Sequence, residues 1–191
     1  AARSSRGRAA PPEESPRLTA TLDALAARIT PDDLTRLAAT LDAMGEGERV
    51  TFVRRLGPRV QARLWAGAAG RGTSLEDLVP DGAAAGAQVI HAGKNSLPVL
   101  TIFEKRFCRA AGRADLLYGY NEGATRPFVG PGYFVARVFP GRGEVGIDYR
   151  EVPPAVAALP AGWPAVRPNE QGIQRFVYAG MVDYLRKVSR H

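Results

Sequence analysis

Near residue 88 the spacing of apolar residues changes from helical to alternating. A chain that makes this change once folds as helices followed by a sheet. Before it, Leu18, Leu22, Leu25 and Ile29, then Leu34, Leu37, Leu41 and Met44, recur at steps of three and four. After it, Val145, Ile147 and Tyr149 alternate with Glu144, Asp148 and Arg150 around Gly146. The spacing predicts an α+β fold: a small N-terminal helical bundle, then a curved antiparallel sheet of about five strands packed by a long C-terminal helix.

Local signals place the boundaries. Residues 1–16 are polar and Pro-bearing and read as a disordered tail. Ser15-Pro16 and Thr30-Pro31-Asp32-Asp33 each set a capping residue before a proline at the first helical position, and Asp33 completes a capping box. Gly45 stops the second helix. Val50, Val53 and Leu56 mark a third, the Gly57-Pro58 break follows, and Val60, Leu64 and Trp65 mark a fourth. Residues 17–67 are therefore expected to be the bundle. Residues 68–87, rich in Gly and Ala, read as a linker with one helical turn capped by Ser74 and Asp77.

Strands are expected at 88–92, 97–108, 115–120, 132–139 and 144–152, within a domain spanning 88–191. Pro140-Gly141-Arg142-Gly143 is a hairpin signal. One wet face and short connections mean antiparallel pairing. A proline-rich strap, 153–168, surrounds Trp163. From Asn169 onward, Ile173, Phe176, Val177, Gly180, Met181, Tyr184, Leu185 and Val188 form a helical stripe. It predicts a rod of roughly 28 Å, with Phe176 and Tyr184 largely buried and Arg186, Lys187 and Arg190 at its carboxyl end. In outline, residues 88–190 are similar to helix-grip and cystatin-like ligand cups. That likeness is architectural and rests on no residue motif.

The chain carries 26 basic and 19 acidic residues, a net charge of +7. The excess is thinly spread: 12 basic against 10 acidic groups in residues 1–80, and 14 against 9 in the rest. Without a dense block a nucleic-acid partner is not expected. Only Lys94, Lys105 and Lys187 are lysines. Gly132–Phe139 has the aromatic alternation of an RNA-binding strand but lacks its basic residue, and no helices lie between the strands. No apolar run approaches the ~18 residues of a membrane span. The single cysteine, Cys108, cannot pair internally, which favours a reducing, cytoplasmic setting.

No motif dictates a reaction. Two histidines and one cysteine cannot by themselves build a metal site, and neither a cofactor nor a set of catalytic residues is assigned. His91 reads as a satisfied strand-end histidine and Cys108 as a packing thiol. Gly130-Pro131-Gly132 leads into a strand, so it is not a phosphate loop. One constellation remains: Tyr118, Tyr120, Asn121, Arg126 and Tyr133, with Glu122 among them, lie within sixteen residues. They are expected to line a cavity between sheet and final helix and to orient a small polar or amphipathic molecule. The class this favours is a non-catalytic binding module whose helices, residues 17–67, act as an interaction arm. A protein–protein adaptor is the first alternative. An enzyme using Glu104, Asp148 or Glu122 as a lone acid/base is the second.

Overall fold

The computed structural model describes residues 24, 29–84, 86–96 and 101–190. The expected tail, most of the first expected helix and residues 97–100 lie outside them. Three helices open the described chain: α1 (Pro31–Ala43), α2 (Glu46–Arg55) and α3 (Pro58–Gly67). Local chemistry explains their limits. Thr30 Oγ1 accepts the Asp33 N–H at 3.2 Å, and the Asp33 carboxylate accepts the Thr30 N–H at 2.8 Å. Pro31 and Pro58 open their helices with a missing N–H that no partner needs there. Leu34, Leu37, Leu41, Phe52, Leu56, Val60 and Leu64 form one shared apolar cluster, with Ile29 and Met44 against it. Phe52, not Val50, is the buried residue of α2.

The remainder is an antiparallel meander of six strands, each paired with its neighbours in chain order. They are β1 (Val89–Lys94), β2 (Ile102–Ala110), β3 (Arg113–Glu122), β4 (Phe134–Phe139), β5 (Glu144–Asp148) and β6 (Val182–Tyr184). The Pro140–Gly143 hairpin joins β4 to β5 as expected, with Arg142 and Gly143 N–H groups on the Phe139 carbonyl. In a flat sheet β2 and β6, four steps apart, would stand roughly 19 Å from each other. Yet Lys105 on β2 meets Asp183 on β6 at 3.3 Å. The sheet is therefore curled into a half-barrel.

Register assigns the two faces. Lys105↔Asn121, Phe107↔Gly119, Leu117↔Ala136 and Ile147↔Asp183 are paired and share the concave face. Arg106↔Tyr120, Cys108↔Tyr118 and Val135↔Asp148 share the convex one. A short helix, α4 (Leu75–Leu78), plugs the concave side. Leu75, Leu78 and Val79 join Phe107, Leu117, Phe134, Val145, Ile147 and Tyr149 in a single core. The Ser74–Asp77 capping box is present, and the expected linker thus carries core residues. His91 Nε2 bonds the Leu78 carbonyl oxygen at 2.8 Å, tying β1 to α4.

The C-terminal stretch departs from the expectation of a long helix. Two further single-turn helices occur, α5 (Arg126–Val129) and α6 (Arg175–Tyr178), and β6 follows α6. Gly180 takes φ +75°, a left-handed conformation that ends helical growth. Beyond it, the backbone groups of β5 find partners in β6. This adds the sixth strand. Phe176, expected in the core, is 77% exposed, and Tyr184 is only half-buried. The terminal basic residues do not serve a helix end. Arg186 lies over the Trp65 ring and pairs with Glu144, Lys187 pairs with Asp77, and Arg190 with Asp42. They bind the sheet to the helices. No described helix is long and apolar enough to cross a membrane.

Candidate functional site

Toward the strand ends marked by Glu122 and Tyr149, the concave face is not filled by α4. A cavity of about 400 Å³ opens there. Its walls come from β2 (Phe103, Lys105), β3 (Asn121, Glu122), Tyr149 after β5, and Val177, Tyr178, Met181 and Asp183 of the C-terminal stretch. Lys94, Ser96, Thr125 and Arg126 add polar lining.

Four polar side chains converge on this wall. Lys105 Nζ donates to Asn121 Oδ1 at 3.1 Å, to Asp183 Oδ2 at 3.3 Å, and to the Tyr149 hydroxyl. Asn121 Nδ2 donates to Tyr149 Oη at 3.1 Å and to the Gly132 carbonyl at 3.2 Å. Rings enclose the ammonium: Phe103, Phe134 and Tyr149 have centroids 5.4, 5.2 and 5.0 Å from Nζ. The Tyr178 ring stacks on Tyr149 at 5.2 Å and 13°. Gly132, at φ +51°, leaves room for the Tyr178 ring where a Cβ would collide.

Burial pushes the Lys105 ammonium below the usual lysine range, with Asp183 working against the shift. Burial also drives Tyr149 well above the ordinary phenol value, and Tyr178 up to about 12. Both phenols are therefore neutral at physiological pH. Lys105 and Asp183 form the ion pair of the cluster, and Asp183 is the more open end, with its side chain 39% exposed.

The five residues singled out in the sequence do not converge. Asn121 and Arg126 line the cavity. Tyr118 and Tyr120 lie on the convex face, and Tyr133 packs with Tyr120 at 5.5 Å between centroids. Trp163 of the proline-rich strap lies 5.0 Å from the Tyr120 ring, and Tyr133 donates its hydroxyl proton to the Pro164 carbonyl. With Cys108, Leu116 and Val135, Tyr118 belongs to a packed cluster under Ala157, Leu159 and Trp163. Arg126 is held by Glu122 at 2.7 Å. A β-strand alternates its faces, so Asn121 points away from the Tyr118–Tyr120 side.

The lone carboxylates are also engaged. Glu104 pairs with Arg106 at 2.9 Å. Burial would raise Asp148, but hydrogen bonds from Arg150 and Arg137 outweigh it and hold the carboxyl at about 2. Burial would likewise raise Glu122, but hydrogen bonds from Arg126 and the Gly123 N–H outweigh it and leave the carboxyl below the usual carboxylate range. Burial puts the Cys108 thiol up at about 11, so it stays protonated. Among the described residues no group of three or more His, Cys, Asp or Glu is placed to hold a metal ion.

Sequence reasoning missed Lys105, Tyr149, Tyr178 and Asp183. One signal was available: Phe103, Lys105 and Phe107 alternate on one strand face, setting a cation between two large apolar residues. No protein-family model, curated protein or solved structure matches the chain.

Proposed function

We propose that the protein is a binding module for a small molecule with a polar end and an apolar body. The observation that carries this reading is the cavity of about 400 Å³ with Lys105, Asn121, Tyr149 and Asp183 on its wall. Its size falls in the range of small-molecule sites, and a few convergent polar groups among aromatic and aliphatic lining are their usual composition. The polar end of the ligand meets the Lys105–Asp183 pair, and the apolar body lies against Phe103, Met181 and Tyr178. Asp183 supplies the adjustable contact. In this reading α1–α3 form a small bundle that serves as an interaction arm, and the setting is cytoplasmic.

Native mass spectrometry of the purified chain tests the reading. The expected result is a retained small-molecule mass, lost in Val177→Trp, where an indole fills the cavity from a half-exposed position. A chain that retains nothing, and whose melting is unmoved by a panel of small amphipathic acids, amines and carbonyl compounds, overturns it. The adaptor reading then takes over, supported by the exposed Phe128 and Phe176.

A further inference from the structure

We propose that Lys105 captures carbonyl compounds: its Nζ condenses reversibly with a small aldehyde or ketone seated in the cavity, giving an imine and water. This rests on the binding reading above and adds the substrate class and a covalent step.

Three observations lead to it. First, the amine is part of the cavity wall and not of the outer surface. Its side chain is 15% exposed, and three aromatic rings stand where water would hydrate a surface ammonium. Lysines desolvated in this way become nucleophiles. Second, the hydrogen bonds suit the neutral amine without leaving a group orphaned. The Tyr149 hydroxyl can donate to the Nζ lone pair, while Asn121 Oδ1 and Asp183 Oδ2 accept its two N–H groups. Third, the proton carriers that imine formation needs already touch the nitrogen.

The chemistry balances without an oxidant or reductant. The Nζ lone pair forms the C–N bond as the carbonyl π pair moves to oxygen. That oxygen takes the Tyr149 proton, and Tyr149 regains one from the nitrogen. Nitrogen then forms the C=N bond as the C–O bond breaks and the hydroxyl leaves as water. The second N–H proton, relayed through Asp183, leaves with that water. The groups that set the pH response are few. Asp183 is the carboxylate bonded to the amine, Tyr149 and Tyr178 remain neutral phenols, Glu122 is paired with Arg126, and Lys94 donates to the Arg54 carbonyl.

A chain with three lysines makes the test clean. The full chain is incubated with benzaldehyde and cyanoborohydride between pH 7 and 9, and the reduced adduct is mapped by peptide mass spectrometry. Benzaldehyde occupancy is measured separately, without reductant, by saturation-transfer NMR. Lys105 should be labelled at least about tenfold faster than Lys94 or Lys187, because a desolvated amine held among proton carriers is the better nucleophile. Tyr149→Phe should slow labelling by more than it lowers benzaldehyde occupancy, so that the rate per bound molecule falls. Asp183→Asn should move the labelling profile to lower pH, because a charge that favours the ammonium is gone. Benzaldehyde bound in the cavity with label only on Lys94 and Lys187 overturns the covalent step and leaves the binding reading standing. Neither occupancy nor label at Lys105 removes the carbonyl class altogether, and the retained-ligand measurement then decides the binding reading alone. The mapping on the unaltered chain stands even where a variant fails to fold.

Discussion

Residues 31–67 and 169–190 carry the same kind of apolar stripe, yet one stretch is helical and the other is a single turn followed by a strand. In the first, every helix has a local start signal: a capping box at Thr30, and glycine before Glu46 and before Pro58. Its stripes then bury one another in a shared cluster. In the second, Gly172 and Gly180 sit at positive φ, and the open edge of β5 offers a backbone ladder. The stripe there is ambiguous. Met181, Asp183 and Leu185 alternate as well as they spiral, and alternation prevails. Apolar spacing thus proposes an element, while caps and available partners select it.

The largest test of this difference pairs two phenylalanines. Phe134→Ala, from the core of the sheet, should cost about 3–5 kcal/mol in denaturant unfolding. Phe176→Ala, from the exposed stripe, should stay within about 0.5 kcal/mol. A large loss at Phe176 would restore the buried C-terminal helix.

Next comes acid stability. The folded Asp148 carboxyl titrates at about 2 against an ordinary 3.8. A depressed acid stabilises the fold above its unfolded pKa, and that contribution is lost as pH falls from about 4 to 2. Asp148→Asn should therefore lower stability at neutral pH by about 2 kcal/mol and flatten the acid limb. An acid limb unchanged by the substitution would show that the Arg137 and Arg150 pairs contribute nothing.

Gly180→Ala separates the two conformations by sign. In a helix it would stabilise by up to about 1 kcal/mol. At φ +75°, with open space where the added Cβ would stand, only backbone strain acts, and a loss of about 1 kcal/mol is expected in thermal melts. An effect of similar size belongs to the locally specified region. Thr30→Ala removes one capping interaction and should cost about 1 kcal/mol, read as fraying of α1 by amide exchange. No change there would mean that packing, not capping, sets the start of α1.

The candidate site is legible in the sequence only in fragments. Asn121 and Arg126 stand out there and do line the cavity, while the three tyrosines grouped with them pack under Trp163 on the other face. Period 2 already separates Asn121 from Tyr120. Its nearness to Tyr118, Tyr120 and Tyr133 along the chain conceals that. Tyr149 and Asp183 lie 44 and 78 residues beyond Lys105, and no local pattern joins positions so distant.

By itself the sequence determined the α+β class, the boundaries of α1–α3, the hairpin at Pro140–Gly143 and the antiparallel pairing. Each depends on interactions among residues a few positions apart. Tertiary structure decided the curl, the sixth strand and the cavity. Whether 182–184 becomes helix or strand depends on the unpaired edge of β5. Whether Lys105 is a surface cation or a cavity-wall amine depends on the curl that brings β6 against β2. Both are long-range contacts, and their free energy exists only once the chain has closed on itself.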